Sequence, residues 1–519
     1  EDRYDLDNDG DFWEPDGLVD HIMIFHSSVG EEAGGGQLGE DAIWAHRWNL
    51  GGVFPTETPT DVPYWGGVMA ALDYTIAPID SAVGVIAHEY GHDLGLPDEY
   101  DTEYSGNGEP VSSWSIMSSG SWAGLLGGTE PTGFSAWAKE YLQGSLEGNW
   151  QHGGSVDLEE INSDGVLALL DQASSKGTNL DVVRVNLPPK STHVVTPASG
   201  EFAYFSGSAD NLNNIIYTSV NLTEASVSSL KFKTWYDIEA DWDYAYVTVQ
   251  NAETGESTNV ASSITTTEDP NEVNNGFGIT GNSNGWIDVE FDLSAFAGQN
   301  VNVMISYISD GGVSNPGIYL DDVNIEVDGV VIAQGNADSS DETFTLDGFT
   351  VNNGSNTTDH YYLLEWRTHN GIDSGLGHIN VGGQTMVYEP GLLVWYVDDK
   401  YSDNWVGIHP GDGFLGVVDA DQKTLVWSDD EPASTRYQIH DATFSMKKDQ
   451  KMFLDLEDTW GVTLKDNHRK KNPTFNDKKS YISTDMPDSG RNITNFGLRF
   501  TVTNQSEDGS VGAVSIYKK

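Results

Sequence analysis

An α+β segment organised around one short helix, followed by all-β sandwich and jelly-roll domains, is the architecture this sequence predicts. Three observations carry it. Two histidines and a glutamate sit at helical spacing at 88–92, short alternating strands recur from about residue 199, and runs rich in Trp and Tyr follow residue 340. At 519 residues the chain has room for about three domains, each with its own core.

The chain opens on a cluster of aspartates. Asp5, Asp7, Asp9 and Asp11 occupy positions 1, 3, 5 and 7 of a twelve-residue loop, with Gly10 at position 6 and Asp16 at position 12. That is the spacing of an EF-hand-type calcium loop, although Asp16 replaces the usual glutamate and Pro15 precedes it. Residues 18–26 read as a buried strand, so the expectation is a calcium loop feeding a strand rather than one flanked by helices. A glycine- and glutamate-rich loop follows at 30–39. Residues 42–48 read as an edge strand, of the kind that lines a cleft and pairs with an extended peptide. Residues 69–76 form a further strand leading into the helix.

That helix is predicted over 81–94, with Asp80 and Ser81 as N-cap signals ahead of Val83, Val85 and Ile86. His88 and His92, four apart, project from one face as two imidazole ligands of a zinc ion would. Glu89 lies beside that face and can take a proton from water at the metal without being a ligand. Gly95 stands where the helix must end, because glycine accepts the left-handed conformation that reverses the chain. Asp98 can then return its carboxylate to the same ion. Two imidazoles, one carboxylate and an open position describe a catalytic zinc site rather than a closed structural one.

Met117 stands in a Ser/Gly-rich turn 19 residues after Asp98. Zinc proteases with the long motif carry such a methionine beneath the metal, which turns the expected fold towards a metzincin-like one. Some of them place a tyrosine two residues later to assist the oxyanion. Ser119 stands there in this chain, so that role has no candidate. Residues 135–143 read as a helix closing a domain at about residue 150.

Beyond it, alternating segments such as 230–235, 244–249, 286–291 and 301–307 have the period and turn spacing of a β-sandwich. Asp321 and Asp322 fall at a strand end, where a solvated position is expected over a second calcium site. Residues 180–188 are expected to pair with 361–367 and 391–397. The domains expected are therefore 1–150, a sandwich region of 151–198 with 340–519, and an inserted jelly roll at 199–330.

Charge limits the partners. There are 25 basic and 81 acidic residues, a net −56, and only Arg3 and Arg47 are basic before Lys139. Such a surface repels nucleic acid and anionic membranes. The lysines of 447–479, with Arg469, Lys470 and Lys471, read as a solvated face. No run of 18 apolar residues exists to span a membrane. The first residues have neither the basic nor the apolar region of a signal peptide. Cysteine is absent, so packing and bound ions rather than disulfides must hold the fold.

Residues 29–44, 88–101 and 114–122 together resemble the immune inhibitor A family of secreted bacterial zinc metalloproteases, and the likeness returns at 361–367, 391–398 and 409–421. The resemblance implies zinc on His88, His92 and Asp98, Glu89 as general base, and secretion as a proenzyme. Residues 317–323 resemble the MAM-like jelly rolls attached to such proteases. Protein or peptide substrates, a monomer, and β domains that bind matrix or carbohydrate are the partners expected. Family members have more catalytic domain upstream of the aspartate loop than the four residues seen here. An inactive remnant serving as an extracellular β-rich binding or adhesion protein is the alternative.

Overall fold

The computed structural model describes residues 13–106, 108–339 and 343–519. It divides into two compact units, one of 1–189 with 358–519 and one of 190–357.

In the first unit the N-terminal part is a small sheet with two helices. Strand β1 (Met23–His26) runs parallel to β3 (Val68–Pro78), and β2 (His46–Pro59) lies antiparallel on the other side of β3 as the edge strand. Helix α1 (Val83–Asp93) follows β3 after four residues, and α2 (Ala136–Ser145) closes the segment. Asp80 and Ser81 do not cap α1. Ala82 is the N-cap, without a side-chain bond, and the amide of Gly84 donates instead to the Gly128 carbonyl at 2.8 Å. A tertiary partner thus replaces the expected local one at the helix start. At the other end Gly95 adopts φ +92° and donates to the His92 carbonyl, as a helix-ending glycine does.

The rest of this unit is a β-sandwich. One sheet orders its strands 415–417, 391–398, 360–367, 182–186 and 153–157; the other orders 474–476, 498–505, 511–518 and 166–171. Strands His360–Arg367 and Gly391–Asp398 are buried at every position. Both of their faces are covered, which is why they read as near-continuous apolar runs instead of alternating ones. Tyr362, Leu364, Val394 and Tyr396 face the second sheet with Phe500 and Val514. Tyr361, Leu363, Leu393 and Trp395 face the other way, into a core they share with Val111, Trp114, Ala123 and Ala136 of the N-terminal part. The two portions therefore share one hydrophobic interior, whereas the cluster around Met117 and Leu142 is small.

Two charges are set into that shared interior. Glu365 and Arg367 are 0 % and 1 % exposed. Arg367 donates to both oxygens of Asp373 at 2.8–2.9 Å and to the Trp114 carbonyl at 2.8 Å, while Glu365 accepts from Lys139 of α2 and from the Trp395 indole. Burial acts to raise the Glu365 pKa, but Lys139 and Arg367 outweigh it and hold the carboxyl below its usual range.

The second unit is a sandwich of two antiparallel sheets, one led by strands 228–237 and 317–327, the other by 244–251, 300–308 and 213–221. Inward-facing residues such as Phe232, Val247, Phe291, Val303 and Ile325 fill its core. Asp321 is not solvated as expected: it is fully buried, and its carboxylate accepts from the backbone amide and hydroxyl of Ser199. No helix is long and apolar enough to cross a membrane among the described residues.

Arg367→Met keeps the side chain's bulk but leaves Glu365 and Asp373 buried without their guanidinium. A loss of about 3–5 kcal/mol is expected in chemical unfolding of the first unit.

Candidate active site

The floor of a deep cleft is built by α1 and the loop that follows it. This cleft, of about 640 Å³, has His88, Glu89, His92 and Asp98 in its lining. His88 Nδ1 donates to the Ile116 carbonyl and His92 Nδ1 to the Leu96 carbonyl, each at 2.8 Å. A carbonyl can only accept, so both Nδ1 atoms carry a proton, and in the neutral rings a metal would select both Nε2 atoms present lone pairs. Those atoms are 3.2 Å apart, and Asp98 Oδ1 lies 3.2 Å from each. Three acceptors on a triangle of that size repel one another unless a cation sits among them. Asp98 Oδ1 is buried and has no hydrogen-bond donor. Four tetrahedral donors at about 2.0–2.1 Å from zinc would stand roughly 3.3 Å apart, so the residues present fit such an ion.

Glu89 is 6 % exposed. Burial pushes its carboxyl pKa up against the opposing pull of His88 and His92. Burial acts on Asp98 in the same sense, but in the metal-free site protonated His88 and His92 outweigh it and hold it well below the usual carboxylate range. Glu89 is thus the readier of the two to accept a proton, and Asp98 the readier to stay charged.

The site is seated on the methionine loop by glycines. A Cβ at Gly91 would stand 2.4 Å from Met117 Sδ, and one at Gly84 would stand 1.9 Å from the Ser121 carbonyl oxygen. Glycines seven apart lie on one helical face, and here they let α1 approach the loop closely. Met117 is fully buried beneath the helix, and its carbonyl accepts from the Glu99 amide. Glu99 is pushed up to about 7, chiefly by burial, and accepts from Ser135 Oγ, whose oxygen also caps α2 through Ala138 N. Asn404 of the sandwich donates to the Glu99 carbonyl at 2.9 Å.

The walls combine the segment 42–48, expected along the cleft, with residues the sequence did not single out. Trp44, His46 and Trp48 line one side, at the start of the edge strand. Tyr100 and Tyr104 line the cleft beside Asp98, and the Tyr100 ring stacks 6.5 Å from that of His88. Burial, then Asp98, raise the Tyr100 hydroxyl far above its ordinary pKa, so it stays protonated. Arg436 comes in from the C-terminal part and pairs with Glu109. The Ser119 hydroxyl donates to the same Glu109. Nothing local in the sequence marks Arg436, which lies more than 300 residues from its partner.

Of the aspartates proposed for calcium, Asp5, Asp7, Asp9 and Asp11 lie outside the described residues. Asp16 is 2 % exposed and accepts from the Leu18 amide at 2.7 Å.

Residues 1–151 match the immune inhibitor A peptidase M6 catalytic domain, 164–354 the immune inhibitor A-like MAM domain, and 355–514 the immune inhibitor A-like metallopeptidase VEG domain. Immune inhibitor A of Bacillus thuringiensis subsp. alesti is 44 % identical over 525 residues, covering all of this chain and 74 % of that protein. The chain belongs to the immune inhibitor A family of metallopeptidases. A second relative, the pre-pro-metalloprotease PrtV of Vibrio cholerae serotype O1, is 49 % identical over 521 residues. That match takes in the whole of this chain and 56 % of the relative, so the chain spans little more than half of it. Bacillopeptidase F of Bacillus subtilis is 31 % identical over 138 residues, 26 % of this chain and 8 % of that protein. Membership of this family implies a metal.

Gly84→Ala would drive a methyl group into a backbone carbonyl that cannot rotate away. About 1–3 kcal/mol of stability should be lost, read as a lower unfolding midpoint together with reduced metal content after dialysis.

Proposed function

We propose that this chain is the catalytic portion of a secreted zinc endopeptidase, with His88, His92 and Asp98 as the metal ligands and Glu89 as the general base. The observation that carries this reading is the triangle of two imidazole nitrogens and one carboxylate oxygen at 3.2 Å, lining the cleft. A metzincin-like fold is the corresponding reading of the N-terminal part, supported by Met117 packed under α1. In this reading residues 1–150 form the peptidase domain, 151–198 with 340–519 the supporting sandwich, and 199–330 an inserted jelly roll.

When bound, zinc would polarise the scissile carbonyl and make water more acidic. The remaining steps fall to the chain. Among the described residues β2 ends its sheet, so an extended peptide can lie along its outer edge. Glu89, held at a raised pKa, takes a proton from the attacking water and returns it to the leaving amide nitrogen. His88 and His92 keep their orientation through the Ile116 and Leu96 carbonyls. Protein or peptide substrates follow from this geometry and from the family. A calcium ion held by Asp5, Asp7, Asp9, Asp11 and Asp16 belongs to the same proposal, as do a monomeric state and a matrix- or carbohydrate-binding role for the jelly roll. An inactive binding protein is the weaker reading, because a site without chemistry has no use for a buried Glu89 beside three converging donors.

Glu89→Gln should retain zinc, measured by elemental analysis, and lose about 10²–10⁴-fold in kcat on a casein substrate; unchanged turnover would remove Glu89 from this role. A zinc-selective chelator should stop hydrolysis and added zinc should restore it. Changing Asp7 and Asp9 to Asn should lower the thermal midpoint in calcium while leaving zinc content untouched. An unaltered midpoint would dismiss the N-terminal calcium loop.

A further inference from the structure

A second convergence of acids, none of them in the cleft lining, lies inside the C-terminal part of the first unit. Asp419, Asp421, Asp441, Asp449 and Asp466 are each at most 8 % exposed. They come from separate stretches: the segment after strand 415–417, the turn at 439–441, the loop before strand 452–456, and the end of strand 462–466. Donor atoms of Asp421, Asp441 and Asp449 all lie within 4.8 Å of one another, and so do those of His440, Asp441 and Asp466. Asp441 belongs to both groups.

Their charge is poorly answered by protein. Among the described residues no lysine or arginine pairs with any of the five. Arg469, the nearest guanidinium in the hydrogen-bond pattern, donates to the backbone carbonyl of Asp449 and not to its carboxylate. His468 donates its ring to Asp421 and its amide to Asp466. The amide of Asp421 bonds Asp419, and that of Lys423 bonds Asp421. Beside these few donors, one oxygen each of Asp421, Asp441 and Asp449 converges on the others. Carboxylates taken out of water together are strongly disfavoured without a counter-ion.

His440 supplies an independent sign. It is 2 % exposed, and its Nδ1 donates to the Tyr437 carbonyl at 2.9 Å. The proton is therefore on Nδ1, and Nε2 carries a lone pair. That atom is buried with no hydrogen-bond partner, and it looks onto Asp466 Oδ2 at 3.6 Å. A nitrogen lone pair aimed at a carboxylate oxygen at that distance is repulsive unless a positive centre lies between or beside them.

We propose that this cluster is a second metal site, holding a hard divalent cation on Asp421, Asp441 and Asp449, with His440 and Asp466 completing it from the other side. The spacing agrees: two oxygens on opposite sides of a calcium ion, each at about 2.3–2.6 Å, stand roughly 4.6–5.2 Å apart. A donor set dominated by carboxylates suits calcium or manganese and gives soft, thiolate-seeking metals no purchase. In a chain without cysteine, such an ion ties four distant stretches together where another protein would use a disulfide. It also reaches the peptidase part indirectly, since the Trp114 indole, at the start of the methionine loop, donates to the Ile439 carbonyl next to His440.

The test uses the whole chain and the double substitution Asp421→Asn, Asp449→Asn, which keeps shape and removes charge. After EGTA treatment and return of calcium or manganese, the unaltered chain should bind one more ion per molecule than the variant, with zinc content equal in both. The rise in unfolding midpoint on adding the ion should also be smaller in the variant. Equal ion content together with an equal rise in midpoint would overturn the proposal. Should the variant fail to fold, anomalous diffraction from crystals of the unaltered chain grown with each ion decides the matter. A peak among Asp421, Asp441 and Asp449 supports the site and its wavelength dependence separates manganese from calcium; no peak with either ion overturns it.

Discussion

The guanidinium of Arg367 has no route to water, and its obligations reach across the first unit. It answers Asp373 with two hydrogen bonds and Glu365 with a third, and it holds the backbone of Trp114 three residues before Met117. Glu365 in turn holds Lys139 on α2. A buried ion network is a poor source of net stability, because the desolvation of each charge offsets most of the attraction. Its effect here is one of direction. A slipped register between sandwich and peptidase segment would strand several charges in an apolar core, so only one docking satisfies them all.

That docking fixes the underside of the candidate site. The loop after Asp98 is held by Asn404, the methionine loop by Arg367 and by the Ile439 carbonyl, and Ser112 by the Tyr388 hydroxyl. The helix above them carries glycine where it touches the loop, so the imidazoles are set by backbone contact rather than by flexible packing. Ligand positions held by fixed carbonyls and close-packed backbone need little rearrangement when a metal arrives, which is what a catalytic centre requires of its support.

Much of this was legible in the sequence where the signal is local. The spacing of His88 and His92, and the glycine after them, require only helix geometry to interpret, and the structure places both imidazoles and Asp98 together. Alternation at 230–235 and 301–307 marks strands for the same reason. What stayed hidden depends on distant partners. The start of α1 moved from Ser81 to Val83, and Gly128 supplies the bond a side chain was expected to make. Asp321 reads as a solvated strand end until Ser199, more than a hundred residues away, is seen to bond it. Arg436 and Glu109 meet in the cleft from opposite ends of the chain, and no period or motif records such a meeting. The aspartates around His440 are scattered over almost fifty residues, so no loop pattern of the kind seen at Asp5–Asp11 announces them.

The shared interior bears on how such a gene can change. Recombination that moved only the first 150 residues into another protein would carry the histidine helix intact but leave Lys139 and the Trp114 carbonyl without their counterparts, and remove the sandwich side chains from the core around Ala123 and Ala136. The unit of inheritance for this chemistry is therefore the discontinuous pair of segments on either side of residues 190–357, and boundaries drawn along the chain do not coincide with boundaries of cooperative folding.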